Sequence, residues 1–225
     1  MSSVNKNGSN RRFSHDILFF EDTHEYLVDG KPVPSVTEIL SPLHRSYAKV
    51  NPSVLEYAAN RGKAVHEALE VYDLGGELEA RPEAVPYVQA YLDWHKTYSP
   101  NWLAIEKVVF CEEGWFIGTL DRMGYLNDGK LAIVDIKTSQ PTREAYVSVC
   151  LQTMAYAMAA MSEDISLDYQ TINRYGLFLM KDGKYRLLDC KAWEGTNHIN
   201  AAECFALMLK NYKMVSKLLE TGGKK

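Results

Sequence analysis

The sequence predicts an α/β (α+β) fold in which a central mixed β-sheet of about five strands is flanked by helices. Helical periodicity dominates the first part of the chain, and three runs rich in β-branched and aromatic residues follow in its middle. A further helix, a second β-hairpin and a closing helix complete the pattern. Because the 225 residues contain no internal repeat and no Gly/Ser-rich linker, we expect one domain over 16–225 behind a flexible tail at 1–15.

The N-terminal segment predicts a small hairpin and a short helix. An Asp-Gly pair between two short β-prone runs is a strong signal for a hairpin turn, which we place between 24–28 and 31–33. Ser35 and Glu38 have the spacing of a capping box, in which each side chain bonds the backbone N–H of the other residue. A helix is therefore expected to start directly after Ser35.

Four longer helices are expected from helical spacing and from the residues at their ends. In the first of them, Asn51 is a favourable cap, Pro52 suits the first helical position, and Gly75 suits the position beyond the last turn. The predicted helices cover 51–75, 83–98, 143–161 and 199–219.

Five strands alternate with turn signals. Glu-Glu-Gly and Asn-Asp-Gly separate the first three strands, which should form a meander, and an Asp-Gly turn joins the last two into a hairpin. The predicted strands cover 103–110, 115–126, 131–137, 173–180 and 184–190.

Composition and charge exclude several classes of protein. The chain has 25 basic and 29 acidic residues, so overall positive charge cannot hold nucleic acid, and any such contact needs a local patch or metal ions. The four cysteines are far apart, which argues against zinc, redox and iron–sulfur sites. No apolar run approaches the roughly 18 residues of a membrane span. We expect a cytoplasmic protein without a membrane partner, with an organellar matrix as the less favoured alternative.

The strand at 131–137 carries the most unusual pair of side chains. Alternation places Asp135 and Lys137 side by side on one face of an otherwise apolar strand. Burying two such charges is costly unless each finds a partner or a metal ion. For this segment alone, the alternative to a functional site is an edge strand whose last turn is simply solvated.

The preceding strand strengthens the interpretation as a site. A three-residue loop at 127–129 puts Gly in the left-handed position of the hairpin and sets Asp121 opposite Asp135. A two-residue loop would instead send these carboxylates to opposite faces of the sheet. Opposed like charges are destabilising without a cation between them, and Mg²⁺ prefers carboxylate and phosphate oxygens.

Two helices supply further polar candidates. Gly62, His66 and Glu70 recur every four residues and form one stripe, on which Gly allows another group to approach closely. Gln152 and Tyr156 share a helix face through the same spacing. Taken singly, a structural histidine and an ordinary helix flank are the favoured interpretations.

Two charged residues lie within predicted strands. Glu106 could face the same cleft as the aspartates, but a solvent-facing position in an alternating strand is the favoured interpretation. Arg122 alternates away from Asp121, and we expect it to pair with another acid of the fold.

Together, these segments resemble the PD-(D/E)XK nuclease superfamily, and within it the RecB-like exonucleases. Four motifs appear in the order of the family: Gly62-x-x-x-His66, Gly118-Thr-Leu-Asp121-Arg122, Asp135-Ile-Lys137-Thr138 and Gln152-x-x-x-Tyr156. The segment Val33-Pro-Ser-Val-Thr is similar to compact phage-type and organellar members. The resemblance implies a restriction-endonuclease-like core. Helicase motifs are missing, so no ATP is implied, and the cysteine spacing does not match relatives with an iron–sulfur cluster.

The resemblance also implies a metal-dependent phosphodiesterase. Its catalytic residues would be Asp121, Asp135 and Lys137. One or two Mg²⁺ or Mn²⁺ ions would be held by His66, Asp121, Asp135 and the backbone carbonyl of Ile136. Lys137 would position the attacking water or help to deprotonate it. Gln152, Tyr156 and Glu70 would orient the site or contact the nucleic acid. Arg61, Lys63 and Arg143 flank the motifs and are candidates for contacts with the nucleic-acid backbone, and a solvated surface charge is the equal alternative for each.

The implied activity is that of a DNA exonuclease acting on single-stranded or frayed ends, in recombination, DNA repair or genome processing in bacteria or phage-infected cells. A recombination or single-strand-binding protein is an implied partner. Two alternatives stay open: a structure- or site-specific endonuclease of the same superfamily, and a nucleic-acid-binding module without turnover.

Overall fold

A computed structural model describes residues 15–20, 23, 25–43 and 50–222, with side chains up to residue 219. Apart from residue 15, the predicted N-terminal tail lies outside the described residues, as does His24 at the start of the predicted hairpin. None of the described helices is both long enough and apolar enough to cross a membrane.

A small antiparallel sheet comes first in the chain. It consists of β1 (Ile17–Phe20), β2 (Glu25–Val28) and β3 (Lys31–Val33). The predicted hairpin is confirmed by β2 and β3, and its turn has positive φ angles of 51° at Asp29 and 73° at Gly30, as a two-residue hairpin loop requires. The additional strand β1 was not expected, because it is short and largely exposed.

The first helices begin where their capping residues predict. Helix α1 (Val36–Leu40) has the complete capping box, since the Ser35 side chain accepts from the N–H of Glu38 and the Glu38 carboxylate accepts from the N–H of Ser35. Helix α2 (Pro52–Asp73) is capped by Asn51. Gly75 adopts a left-handed φ of 79° just beyond its end. Helix α3 (Val85–Tyr98) follows.

The predicted central sheet is confirmed as a five-stranded mixed sheet. Its strands, in spatial order, are β4 (Asn101–Cys111), β5 (Phe116–Tyr125), β6 (Leu131–Lys137), β7 (Asn173–Leu179) and β8 (Tyr185–Asp189). All neighbours are antiparallel except β6 and β7, which are parallel. Helix α4 (Arg143–Glu163) makes the crossover that this parallel pair needs.

The end of the chain differs from the prediction at one point. The last predicted strand stops at Asp189, whose side chain accepts from the N–H of Ala192 and caps a short helix, α5 (Cys190–Asn197). The interpretation of Cys190 as part of the strand was therefore wrong, because the capping signal at Asp189 was missed. Helix α6 (Ala201–Gly222) closes the chain as expected.

Helices cover both faces of the central sheet. On one face, apolar side chains of the sheet pack against α1, α4 and α6, including Val36, Ile133, Met154 and Phe205. On the other face, they pack against α2 and α3, including Leu69, Trp94, Val134 and Ile136. The side chains of β6 therefore alternate between the two faces as predicted. Ile133 points to the α4 face, and its two neighbours in the strand point to the α2 face.

Candidate functional site

The register between β5 and β6 follows the three-residue loop. Arg122 pairs with Val134 and Tyr125 with Leu131, and extending this register by one residue beyond the last pair puts Asp121 opposite Asp135. Gly129 adopts a left-handed φ of 71° in the loop. The alternative two-residue loop is therefore excluded, and the two aspartates lie on neighbouring strands in the middle of the sheet.

Asp121 is fixed by the backbone of the neighbouring strand. Its Oδ2 accepts a hydrogen bond of 2.6 Å from the N–H of Ile136. The carbonyl of Ile136 lies 3.2 Å from Nε2 of His66 on α2. Oδ1 of Asp121 is 3.9 Å from Nδ1 of the same imidazole. Asp121, His66 and the Ile136 carbonyl therefore meet between α2 and the last residues of β6.

Asp135 and Lys137 form the second part of the site, on the α4 face. Nζ of Lys137 lies 3.0 Å from Oδ1 and 2.8 Å from Oδ2 of Asp135, and only the first contact has hydrogen-bond geometry. The Asp135 carboxylate is completely buried. Burial raises the pKa of Asp135 to about 6, against the opposing effect of the Lys137 ammonium.

Helix α4 orients Lys137. Nζ donates 3.0 Å to Oε1 of Gln152, whose Nε2 donates 2.8 Å to the hydroxyl of Tyr156. The ring of Tyr156 is buried against Gly118 of β5, where a β-carbon would lie only 2.7 Å from ring atom Cε1. A glycine is therefore needed at position 118 for Tyr156, and through it Gln152, to reach the site.

Glu106 joins the site, although the sequence favoured a solvent-facing position for it. Its Oε1 lies 3.2 Å from Nδ1 of His66 and accepts 2.9 Å from Nη1 of Arg122. The expectation was wrong because Glu106 breaks the alternation of β4 with a positive φ of 43°. Such a backbone costs about 1–3 kcal/mol outside glycine, and strain of this kind concentrates at functional sites. The sequence signal that could have identified Glu106 is a single carboxylate in an otherwise apolar strand, the same signal as at Asp135.

Three of these groups are close enough to share one cation. His66, Glu106 and Asp121 each offer one ligand atom, and the three atoms lie within 4.8 Å of one another. One nitrogen and two carboxylate oxygens suit Mg²⁺ or Mn²⁺ better than a soft metal. Asp135 does not belong to this group of three among the described residues, since its carboxylate faces Lys137.

The carboxylates control the charge of His66. Burial disfavours the imidazolium, but the charges of Asp121 and Glu106 outweigh that effect and raise the pKa of His66 to about 9. Both ring nitrogens then act as donors, Nδ1 to Glu106 and Nε2 to the carbonyl of Ile136. A metal ion at either nitrogen requires the neutral ring, so metal and proton compete for His66.

A buried ion-pair network lies behind the site, and it confirms that Arg122 pairs with another acid. Its guanidinium is fully buried, and Nε donates 2.6 Å to Oδ2 of Asp73 at the end of α2. The hydroxyl of Tyr91 donates 2.6 Å to the same oxygen. Because Nη1 of Arg122 also holds Glu106, this network connects α2, α3, β4 and β5 to the ligand cluster.

The remaining candidates lie at different distances from this centre. Nη2 of Arg61 donates 3.0 Å to the carbonyl of Thr138, the residue after Lys137. Lys63 is exposed on α2, and Glu70 lies one helical turn beyond His66 outside the ligand group. Arg143 lies over the ring of Trp193 on α5, with its Cζ 5.8 Å from the ring centroid. Among the described residues, Arg61 is the one of these four with a hydrogen bond to the segment that directly follows β6.

A comparison with protein families decides the affiliation. A model of the PD-(D/E)XK nuclease superfamily matches residues 76–194, which is more than half of the chain. The chain belongs to the PD-(D/E)XK nuclease superfamily. The match contains Asp121, Asp135 and Lys137 of the site, whereas His66 precedes it. No curated protein matches the chain significantly.

Membership of this nuclease superfamily gives the site geometry a chemical meaning. An acid in β5, an acid and a lysine in β6 and a histidine in α2 are brought to one end of the sheet by the fold. The resemblance seen in the sequence is thus confirmed at the level of the superfamily.

Proposed function

We propose that the chain is a RecB-like, Mg²⁺- or Mn²⁺-dependent DNA exonuclease that hydrolyses phosphodiester bonds at single-stranded or frayed ends. The proposal rests mainly on one observation: His66, Asp121 and the Ile136 carbonyl lie close together beside the Asp135–Lys137 pair. Superfamily membership supports a nuclease at this place. Recombination, repair or genome processing is the setting that the proposal implies.

The donor set fits a hard divalent cation. Imidazole nitrogen, carboxylate oxygen and backbone carbonyl oxygen are all offered within a few ångströms. Oδ2 of Asp135 is buried without a well-directed hydrogen bond, so the carboxylate has spare capacity for a cation. The proposed ligands are His66, Glu106, Asp121, Asp135 and the carbonyl of Ile136. When bound, such an ion polarises the scissile phosphate and lowers the pKa of a coordinated water.

The side chains of the protein account for the rest of the proposed mechanism. Lys137 is 30% exposed, so its ammonium reaches both the buried carboxylate and the solvent side where a phosphate would lie. There it would orient the attacking water and stabilise the charge that develops on the phosphate oxygens. Gln152 would keep the ammonium in this direction, because its amide is held by Tyr156 from behind.

Degradation of linear and covalently closed circular single-stranded DNA tests the proposal. With Mg²⁺, we expect linear DNA to be degraded and circles to survive, and a chelator should stop the reaction. Asp135→Asn should lower the rate by about 10²-fold or more. Asp189→Asn is the matched control, since Asn also caps a helix and α5 lies outside the site. Efficient cutting of circles would replace the exonuclease by an endonuclease, and activity in chelator would refute the metal mechanism.

A further inference from the structure

An exposed stripe runs along the N-terminal half of α2, outside the group of metal ligands. Val54, Tyr57 and Arg61 follow each other at spacings of three and four residues, so they share one side of the helix. Val54 is 55% exposed and Tyr57 is 58% exposed. More than half of the surface of Tyr57 is therefore accessible, beside the cationic side chain of Arg61.

Arg61 connects this stripe to the residue that directly follows β6. Nη2 donates to the carbonyl of Thr138, directly after Lys137. The guanidinium also lies over two rings, with Cζ 5.0 Å from the centroid of Tyr87 and 5.9 Å from that of Tyr57. Tyr87 is buried on α3, so Arg61 has a fixed backing on one side. Tyr57 lies four residues before Arg61, about 6 Å along the helix axis. Arg61 therefore supports the Tyr57 ring from one side.

We propose that the open face of Tyr57 is a stacking platform for an unpaired nucleobase of the DNA strand whose phosphate lies at Lys137. This inference rests on the proposed function. Stacking on an aromatic ring tolerates every base and contributes strongly to the binding of single strands. A base inside a duplex already has both faces stacked, so Tyr57 can engage it only after fraying. The Arg61 guanidinium behind the ring adds a positive charge next to the nucleic-acid backbone.

Tyr125 offers a matched control for this role. It is also an exposed tyrosine, with 42% of its surface accessible, but it pairs with Leu131 at the other end of β6. Six residue steps along a strand separate that end from Lys137, about 20 Å. Loss of its ring should therefore leave binding of the strand at the site unchanged.

Fluorescence anisotropy with a short labelled oligo-dT measures the effect, in chelator and in an Asp135→Asn background that prevents degradation. Tyr57→Ala should weaken binding of the intact oligonucleotide about 5- to 100-fold. When abasic sites replace the bases of this oligonucleotide, Tyr57→Ala should bind it as tightly as the parent protein does. Tyr57→Phe keeps the stacking face and should bind like the parent, as should Tyr125→Ala.

Three results overturn the inference: Tyr57→Ala binds intact oligonucleotide like the parent, Tyr57→Ala loses affinity for intact and abasic strands equally, or the parent protein binds no oligonucleotide. The proposed function fails separately, when wild-type protein does not degrade DNA in Mg²⁺. If wild-type protein degrades linear DNA while Tyr57→Ala still binds normally, only the stacking platform is refuted.

Discussion

Lys137 and Asp135 form an ion pair between a partly exposed ammonium group and a completely buried carboxylate. Nζ lies 3.0 Å from Oδ1 and 2.8 Å from Oδ2, and the exposed fractions of the two side chains are 30% and 0%. A buried carboxylate is stable only beside a compensating positive charge. In the absence of metal, Lys137 supplies that charge, and a divalent ion would supply it in the loaded site.

The first prediction concerns Lys137→Met. Without metal, this change leaves Asp135 buried and unpaired, so we expect a loss of about 1–3 kcal/mol in the free energy of unfolding. Saturating Mn²⁺ should restore more stability in the variant than in the wild type, because it compensates the same carboxylate. DNA hydrolysis should fall about 10²- to 10³-fold, since the donor to the reacting phosphate is lost.

Thermal unfolding with and without Mn²⁺ measures this difference, and Lys213→Met is the matched control. Lys213 donates to the carbonyl of Gly114 and pairs with no buried acid among the residues that the structure describes. Equal Mn²⁺ responses in wild type and Lys137→Met would show that metal and ammonium do not act on the same carboxylate.

The second prediction concerns the Asp73–Arg122 pair. The double variant Asp73→Asn/Arg122→Met removes one positive and one negative charge, so the net charge of the site is kept. Glu106 loses the Arg122 donor that orients it toward His66. We therefore expect Mn²⁺ to bind about 10- to 100-fold more weakly, the usual effect of losing a group that orients a ligand. Titration calorimetry measures the affinity.

A second buried pair in the chain provides the control for this experiment. Nη1 of Arg174 lies 2.9 Å from Oε1 of Glu194, and the two side chains are 2% and 11% exposed. Arg174→Met/Glu194→Gln should cost stability without weakening Mn²⁺ binding, because neither residue contacts the ligand group. If both double variants lose the same affinity, the effect of Arg122 is only structural.

Much of the fold followed from local signals in the sequence. The capping box at Ser35, the cap at Asn51 and the left-handed Gly129 each fix the chain within a few residues, so they can be recognised without tertiary information. The register of β5 and β6 followed from the loop alone, and with it the positions of the two aspartates. Sequence order and spacing also predicted Gln152 and Tyr156 on one side of α4.

The parts that were missed depend on contacts between distant segments. Glu106 faces inward because Arg122 and His66, both far away in the sequence, hold it in a left-handed backbone that alternation cannot predict. The partner of Arg122 was expected to be an acid, but only the packing of α2 and α3 against the sheet identifies Asp73. Long-range ion pairs leave no periodic signal in the chain.

The third prediction concerns Gly118→Ala. The added β-carbon would lie 2.7 Å from Cε1 of Tyr156 and 3.2 Å from Cγ2 of Val36. Both neighbours are buried, so we expect a loss of about 1–3 kcal/mol from overpacking. The displaced Tyr156 ring should also release Gln152 and lower the rate of DNA hydrolysis.

Gly195→Ala controls for the general effect of removing a glycine. A β-carbon there meets nothing within 4 Å, and the residue lies in α5. Alanine should therefore leave activity unchanged and stabilise the helix by up to about 1 kcal/mol. Chemical denaturation and single-turnover rates distinguish the two glycines, and unchanged stability in Gly118→Ala would contradict the packing argument.

The fourth prediction is a pH dependence set by His66, whose pKa of about 9 lies above the ordinary value of 6.5. A raised pKa in the folded state means that the charged ring stabilises the fold, fully below pH 6.5 and progressively less as the pH rises through about 9. In chelator, the melting temperature of the wild type minus that of His66→Gln should therefore shrink over this interval. Mg²⁺ requires the neutral ring, so the stabilisation that it provides should grow over the same interval. A difference between wild type and variant that increases with pH in chelator would mean that His66 is neutral in the folded protein, and proton and metal would then not compete for it.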